Sequence, residues 1–564
     1  LYWKMLQKTG VLGLAAALAL GMGAQAAEAP SARQEDLDAL YQNLEARHPD
    51  LFANTPEAEF LVRKAEIESR LTTESDVDFL FDLQSLTALA GDSHTSIQVA
   101  GSVVEQLSAY PMVLSWRDGR WYLTTAPAEQ KALLGMEVTA LNGRDMDQVV
   151  EAFGEVLSAD NPVKLRRQYR QVCNVEDYYV YLGLAKPGEP LKLTLEDGET
   201  RSITAVPYHS LGETEIAQLG AQVSMPATAA REQAYWSQAL NPNTYYIQYN
   251  TCQEDPELSM ETFASQVQDD LNTGNYSRVL IDLRNNGGGS DGVIWPLLNV
   301  LREAMDEGAE VVGLIGEATF SSAIINAVEL QEMGAVLAGE ATSGSVDHFG
   351  SVSGFTLPNS GIRVGVSSKY IDLGTLLDAD AGRGVVSLEP DVELPQTMAD
   401  TLAGKDTAVE WLLAHPERLA QREWPNAPLT RGRFVGLLYE AAGSPVQTPE
   451  AVFPDMLGVE WYLDAMIWSA NAGVSRGTAD GSFAASRAIS WQEAAVFLTR
   501  TVQALGWTPE TVRTAPLPAV LSKGAWDQEA LQSAWAWGLL PENADSTPTR
   551  AQGEAMAAAL QELG

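Results

Sequence analysis

Short apolar runs alternate with stretches of helical periodicity between residues 241 and 412, and that alternation restricts the region to an α/β core. Residues 245–249, 279–283, 311–315 and 335–337 are the expected strands, and helices are expected over 260–271, 293–304 and 322–333. The texture differs on both sides. From residue 31 to 90 apolar side chains recur at helical spacing, as in Leu37, Leu40, Tyr41 and Leu44 or Phe79, Leu80, Leu83 and Leu86, which predicts a small helical unit. After Gly91 come short strands, 112–116 and 121–125, parted by the turn signal Asp118-Gly119. Beyond Pro416 the chain changes to Trp- and Ala-rich helical segments that repeat. A chain of 564 residues exceeds what one hydrophobic core organises, so several structural units are expected.

Seventy-five acidic against 36 basic residues give a formal charge of -39, which repels nucleic acid and anionic lipid; no nucleic-acid partner is expected. Residues 1–27 read as an export signal. Lys4 and Lys8 precede an apolar stretch from 11 to 22, and Ala24-Gln25-Ala26 offers a small-x-small cleavage site. The stretch is shorter than the roughly 20 residues needed to span a bilayer. No later segment does better, so no integral membrane segment is expected after signal removal. In an exported chain Cys173 and Cys252 form either one disulfide or two free buried thiols. No Cys/His spacing suggests a zinc site, and no metal or other cofactor is expected.

Two segments of the α/β region carry chemistry. The apolar run 279–283 passes directly into Arg284-Asn285-Asn286-Gly287-Gly288-Gly289. Such a turn can take positive φ and present bare backbone N–H groups, the requirement of an oxyanion hole. Downstream, strand 311–315 leads to Thr319-Phe320-Ser321-Ser322-Ala323 and then a helix. A serine at a helix N-terminus gains from the dipole and from N–H groups that stabilise a tetrahedral oxyanion. It equally makes an ordinary N-cap.

Taken in order, four landmarks and a segment between the last two resemble the C-terminal processing (tail-specific) peptidases and the tricorn core protease. They are Gly91-Asp92-Ser93-His94-Thr95; the 282–289 run; Thr319 to Ala323 followed by Gly339-Glu340-Ala341-Thr342-Ser343-Gly344; Leu357-Pro358-Asn359-Ser360-Gly361; and Leu388-Glu389-Pro390-Asp391-Val392. The resemblance implies a serine peptidase core with Ser321 as nucleophile and polypeptide as substrate. In the processing branch of that family a lysine just past the Gly-Glu-x-Thr-x-Gly segment activates the serine. Ser345 stands in that place here, and the nearest downstream lysine, Lys369, lies in a different strand, so a Ser-Lys dyad is not expected. The tricorn-like branch places a histidine early in the chain, which implies His94 as general base, with Ser93 and the late acid Glu389 orienting its imidazole. It also implies an oxyanion hole from the amides of Gly288, or its neighbour Gly287, and Ser322. Serine needs a base because its hydroxyl is a poor nucleophile near neutral pH. His348, next to Asp347 on the segment after the Gly-Glu-Ala-Thr turn, is the rival base.

Residues 133–143 and the helical stretch 145–156 resemble the second half of a PDZ domain, which strands 191–195 and 202–206 would complete. Near the C-terminus, Val452-Phe453-Pro454-Asp455, Glu460-Trp461-Tyr462, Gly473-Val474-Ser475-Arg476-Gly477 and Ile489-Ser490-Trp491-Gln492-Glu493 resemble an S-layer homology module, with incomplete copies at 429–442 and 526–563. That family attaches to cell-wall polysaccharide, and Arg431 and Arg550 match its arginine; a guanidinium fork suits acidic sugar substituents. The expected architecture is multidomain α/β: signal peptide 1–27, helical N-terminal unit 28–95, PDZ-like module 105–207, α/β (crotonase-like) serine peptidase core 230–415 and all-α S-layer homology repeats 427–564. The expected function is a secreted, wall-associated serine endopeptidase. The alternative is a degenerate protease-like protein that binds peptide tails or a small ligand at the wall, a reading favoured by the missing lysine.

Overall fold

The computed structural model describes residues 30–99, 101–221, 231–371, 373, 387–420, 428–447, 453–456, 462–485, 487–522, 527–544 and 547–563. The expected signal at 1–27 lies outside them. The α/β region forms a six-stranded sheet in the order Tyr235–Asn241, Thr244–Tyr249, Arg278–Asp282, Glu310–Ile315, Val336–Gly339, Val392–Glu393. The first pair is antiparallel and the other four pairings are parallel. Every residue of the four strands from Thr244 to Gly339 is buried. This explains their unbroken apolar character, since a parallel sheet is covered on both faces. Val279, Ile281, Val311 and Ile315 pack against the helices Met260–Thr273, Trp295–Asp306 and Ser322–Met333. The alternate side chains Tyr246, Leu280, Val312 and Leu314 face Ala408, Val409 and Leu412 of the helix Thr407–Ala414.

Two buried ion clusters fix that second layer to the sheet. Arg278 and Glu310 stand opposite in register and pair at 2.6 Å, while Arg278 also donates to the carbonyls of Leu412, His415 and Glu417. Arg284 joins Asp282 to Asp406, the N-cap of Thr407–Ala414. The strand that enters the Gly-rich turn is therefore held at both ends.

The helices Pro30–Arg47, Glu57–Glu68 and Asp76–Ala88 share one apolar cluster with the region 107–203 and with Leu357, Ile362, Val364 and Val366 of a long hairpin. That hairpin, His348–Thr356 with Arg363–Ile371, pairs with the short strand Ser96–Ile97. Asp36, fully buried, accepts the Asn359 and Ser360 amides and locks the hairpin tip to the first helix. The region expected to be PDZ-like contains the antiparallel sheet Arg144–Asp145, Val138–Leu141, Leu191–Leu195, Thr200–Ile203 and the helix Met146–Phe153. Between them stand two helices that the sequence reading does not predict, Pro162–Val172 and Glu176–Tyr181.

The C-terminal helices share a single core. Thr430, Ser490 and Thr549 each cap a helix by accepting the amide three residues on, at 3.3, 3.2 and 3.3 Å. These are the positions where the sequence suggested a repeated loop, and their common role is N-capping. Among the described residues no helix is long and apolar enough to cross a membrane. Cys173 and Cys252 are both free and buried.

Candidate active site

The strand Arg278–Asp282 ends in a turn whose glycines take the conformations that only glycine adopts readily, with φ of +99° at Gly288 and +145° at Gly289. The adjoining segment is tied to it by several bonds. Thr319 Oγ1 donates to the Leu283 carbonyl at 2.9 Å, the Phe320 amide to the Asn286 carbonyl at 3.1 Å, and Ser322 Oγ to the Gly289 carbonyl at 2.9 Å. These bonds place Ser321 at the head of the helix Ser322–Met333.

Ser321 itself has φ +55° and ψ -129°, and its side chain makes no capping hydrogen bond. The chain contains its own controls. Ser75, Ser259 and Ser490 precede helices in the extended conformation and accept the amide three residues on. A serine needed only as a cap would do the same. Ser321 instead occupies a sparsely populated backbone region, which costs on the order of 1–3 kcal/mol and persists only where surrounding structure enforces it. Its hydroxyl is half-buried and uncommitted to the cap.

The oxyanion-hole expectation is modified in detail. The Gly288 N–H donates to the buried Asn286 Oδ1 at 2.9 Å. Gly287 is exposed, and the Ser322 N–H belongs to the first helical turn, where amides lack intrahelical acceptors. Of the three expected amides, that of Gly288 is thus committed to Asn286, and those of Gly287 and Ser322 stay the candidates for a developing oxyanion.

His94 reaches this place from a loop held by Asp92. That carboxylate accepts the His94 amide at 2.9 Å and the Thr95 hydroxyl at 2.5 Å, and contacts His48 Nε2 at 3.3 Å. Burial opposes its charge, yet these donors hold the Asp92 carboxyl below the usual range. The His94 ring stacks on Phe320, the residue before Ser321, with centroids 4.5 Å apart, and on His348 at 5.3 Å. Neither ring nitrogen makes a well-formed hydrogen bond. Burial above all, then His348 and Lys164, push its pKa down to about 4, and Asp92 and the Phe349 backbone only partly offset them. His94 is therefore a neutral imidazole near neutral pH, the form that accepts a proton.

The other expected residues divide. Ser93 lies in the cluster, but its hydroxyl donates to Asp160 and its oxygen accepts the Asp160 amide at 3.1 Å, so it does not bond the His94 ring. His348 is buried, with Nδ1 3.4 Å from the Val346 carbonyl and Nε2 without a partner. Asp347 turns to the Leu373 amide instead of orienting it. Glu389 is exposed and makes no hydrogen bond with His94. Arg431 is 2% exposed, paired with Glu493 at 2.8 Å, donating to the Phe483 carbonyl and lying over the Phe483 and Phe497 rings. Arg550 pairs with Glu332 of the helix Ser322–Met333.

Sequence reasoning missed Lys164. Asn161 caps the helix Pro162–Val172, accepting the Lys164 amide at 2.8 Å, and its own amide donates to the Ser343 carbonyl and to Ser345 Oγ, both at 2.9 Å. The cap thereby sets Lys164 Nζ 3.4 Å from the centre of the Phe320 ring. The available signal was Asn161-Pro162 opening a helix with Lys164, Arg166, Arg167 and Arg170, a dense basic run in so acidic a chain.

Residues 452–495 match the S-layer homology domain family. Among solved structures the chain is similar to mature CPAF complexed with lactacystin, at 15% identity over 68% of this chain and 97% of that one, with a TM-score of 0.47. It is also similar to a photosystem II D1 C-terminal processing protease, at 15% identity over 67% and 98%, with a TM-score of 0.31. A lipoprotein from Streptococcus agalactiae matches at 12% identity over 65% and 94%, with a TM-score of 0.28. No curated protein matches the chain. These are distant likenesses, and the chemistry rests on the geometry above.

Proposed function

We propose that the chain is a serine peptidase acting by acyl transfer, carried at the cell surface by its S-layer homology region. The observation that supports it most is Ser321, a strained, half-buried serine that heads a helix without capping it, lies against the glycine turn and follows Phe320, whose ring stacks on the neutral His94. In this reading Ser321 Oγ attacks the peptide carbonyl while its proton passes to His94. The oxyanion is met by the Ser322 and Gly287 amides, the proton moves from His94 to the leaving amine, and water then releases the acyl group. Neither His94 ring nitrogen has a hydrogen-bond partner among the described residues in this conformation, so the hydroxyl–imidazole bond forms only as the substrate complex closes. Glu389 orients the imidazole only if its loop turns inward. The S-layer homology segment at 452–495 supports attachment to a cell-wall polymer, and the leader at 1–27 fits export.

A second reading is a protease-like binding protein. The absence of a hydrogen bond from the described residues to either His94 ring nitrogen and the exposure of Glu389 favour it. Labelling with a fluorophosphonate decides between them. Wild type labels at Ser321 and Ser321→Ala does not; folded wild-type protein that stays unlabelled supports the binding protein.

A further inference from the structure

Lys164 is 8% exposed, and its ammonium group makes no ion pair or hydrogen bond with any described residue. Burying a cation without a carboxylate partner is costly, so the fold places it there against a penalty. What it meets is the face of Phe320, at 3.4 Å, where the ring quadrupole offers part of the stabilisation a carboxylate would give. The same ring stacks on His94. Lys164 and His94 therefore share one aromatic neighbour, and that neighbour is joined by a peptide bond to Ser321.

We propose that Lys164 is a positioning residue for proton transfer: its ammonium, seated on the Phe320 ring that also stacks on His94, adds to the burial that keeps the His94 imidazole in the neutral form able to accept the Ser321 proton. The inference rests on the serine peptidase reading for its consequence, although the Lys164–His94 coupling is independent of it. The charged surroundings can be enumerated. His94 is faced by Asp92 from its own loop, by His348 from the strand His348–Thr356 and by Lys164 from the helix Pro162–Val172. Asp92 is in turn held by His48. Lys164 is faced by Arg167 on its own helix and by Asp160 and Asp92. Burial first, then Arg167, bring the Lys164 pKa down to about 7 against the pull of the two carboxylates.

The sign follows directly. His94 loses its proton well below the pH at which Lys164 does, so Lys164 is charged throughout the His94 titration. A like charge disfavours the imidazolium and extends the neutral base to lower pH. Removing it lets His94 protonate sooner as pH falls.

The test compares full-length wild type, Lys164→Gln, Lys164→Met and Lys164→Arg. One readout is the His94 titration by NMR on histidine-labelled protein, assigned with His94→Gln; the other is the rate of fluorophosphonate labelling against pH. Lys164→Gln and Lys164→Met should each raise the His94 midpoint by about one unit and move the acid limb of labelling by the same amount. Lys164→Arg, which keeps the charge, should shift neither by more than about 0.3 unit. An unchanged His94 midpoint in both neutral variants, with intact thermal melts, overturns the proposal. A shifted midpoint with no labelling at any pH upholds the coupling and sinks the peptidase reading instead.

Discussion

Replacing Gly288 by alanine sets a methyl group against Ser321, the proposed nucleophile. An ideal Cβ at this position would lie 2.7 Å from Ser321 Cβ, 2.9 Å from the Phe320 carbonyl oxygen and 3.1 Å from the Ser322 nitrogen. Carbon atoms in contact prefer about 3.5–4.0 Å, and none of these neighbours is the free end of a flexible side chain. The backbone must also hold φ +99°, a region that costs a non-glycine residue about 1–3 kcal/mol. Overpacking adds about 1–3 kcal/mol. The combined strain, about 2–6 kcal/mol, is relieved only by moving the turn away from Ser321. Gly287 is the internal control, because an added Cβ there meets nothing within 4 Å and the residue is exposed. Fluorophosphonate labelling of Ser321 and a thermal melt of the full chain measure the effect. Gly288→Ala is expected to slow labelling by about 100-fold or more, because moving the turn carries the neighbouring Gly287 amide away from Ser321. Gly287→Ala, which retains its amide, should label within a few-fold of wild type and change stability by less than about 0.5 kcal/mol. Wild-type labelling in Gly288→Ala, or an equal loss in Gly287→Ala, would refute the argument that this turn positions the nucleophile.

Glu310→Gln leaves the buried Arg278 guanidinium without its carboxylate and should destabilise the α/β core by about 3–5 kcal/mol in a melt; the double change Arg278→Met with Glu310→Leu should recover much of that loss. Burial pushes the Glu329 carboxyl up to about 7 against the Asn326 amide and Trp295 indole donors, so its contribution is full below its unfolded pKa of 4.5 and lost as pH rises through about 7. Glu329→Gln should therefore raise the melting temperature at pH ~8 and leave it nearly unchanged at pH ~5, and equal shifts at both would contradict the assignment. Glu332 of the nucleophile helix receives Arg550 and lies 3.7 Å from Arg433, so Glu332→Lys should detach the C-terminal repeats from the core. A radius of gyration by small-angle scattering equal to that of wild type would show that this contact does not hold them.

The parallel strands were legible because their burial is complete. Runs such as 279–283 can be apolar at every position only when both faces are covered, and the helix Ser322–Met333 begins and ends where its periodicity places it. The positive φ of Gly288 and Gly289 was likewise readable from the Asn-Asn-Gly-Gly-Gly run. Partner choice was not. Arg431 looks like an exposed sugar ligand in the sequence, yet Phe483, Phe497 and Glu493 converge on it from elsewhere in the repeats. Asn286 takes the Gly288 amide through a side chain whose direction no pattern specifies. The place of Lys164 was hidden for the same reason: its basic run can be read, but the helix carrying it is inserted between strands of another sheet, and the bonds from Asn161 to Ser343 and Ser345 bring it to Phe320.

Those bonds bear on how Ser321 keeps its strained backbone. Relaxing it to the extended form of an ordinary cap requires residues 319–322 to rotate together, and each is held. Thr319 is bound to Leu283 and Gly316 through its hydroxyl and to Gly344 through its carbonyl, Phe320 to Asn286, and Ser322 to Gly289. Gly344 cannot yield space, since a Cβ on it would fall 2.4 Å from Ile324 and 3.0 Å from the Phe320 backbone. The segment 342–345 that closes this cage is the one Asn161 grips from the helix of Lys164. Strain at Ser321, the seat of Phe320 and the placement of the ammonium near His94 are thus set by one hydrogen-bonded unit. Asn161→Ala should consequently disturb the nucleophile and the His94 titration together, whereas a change at Lys164 alone should move only the titration.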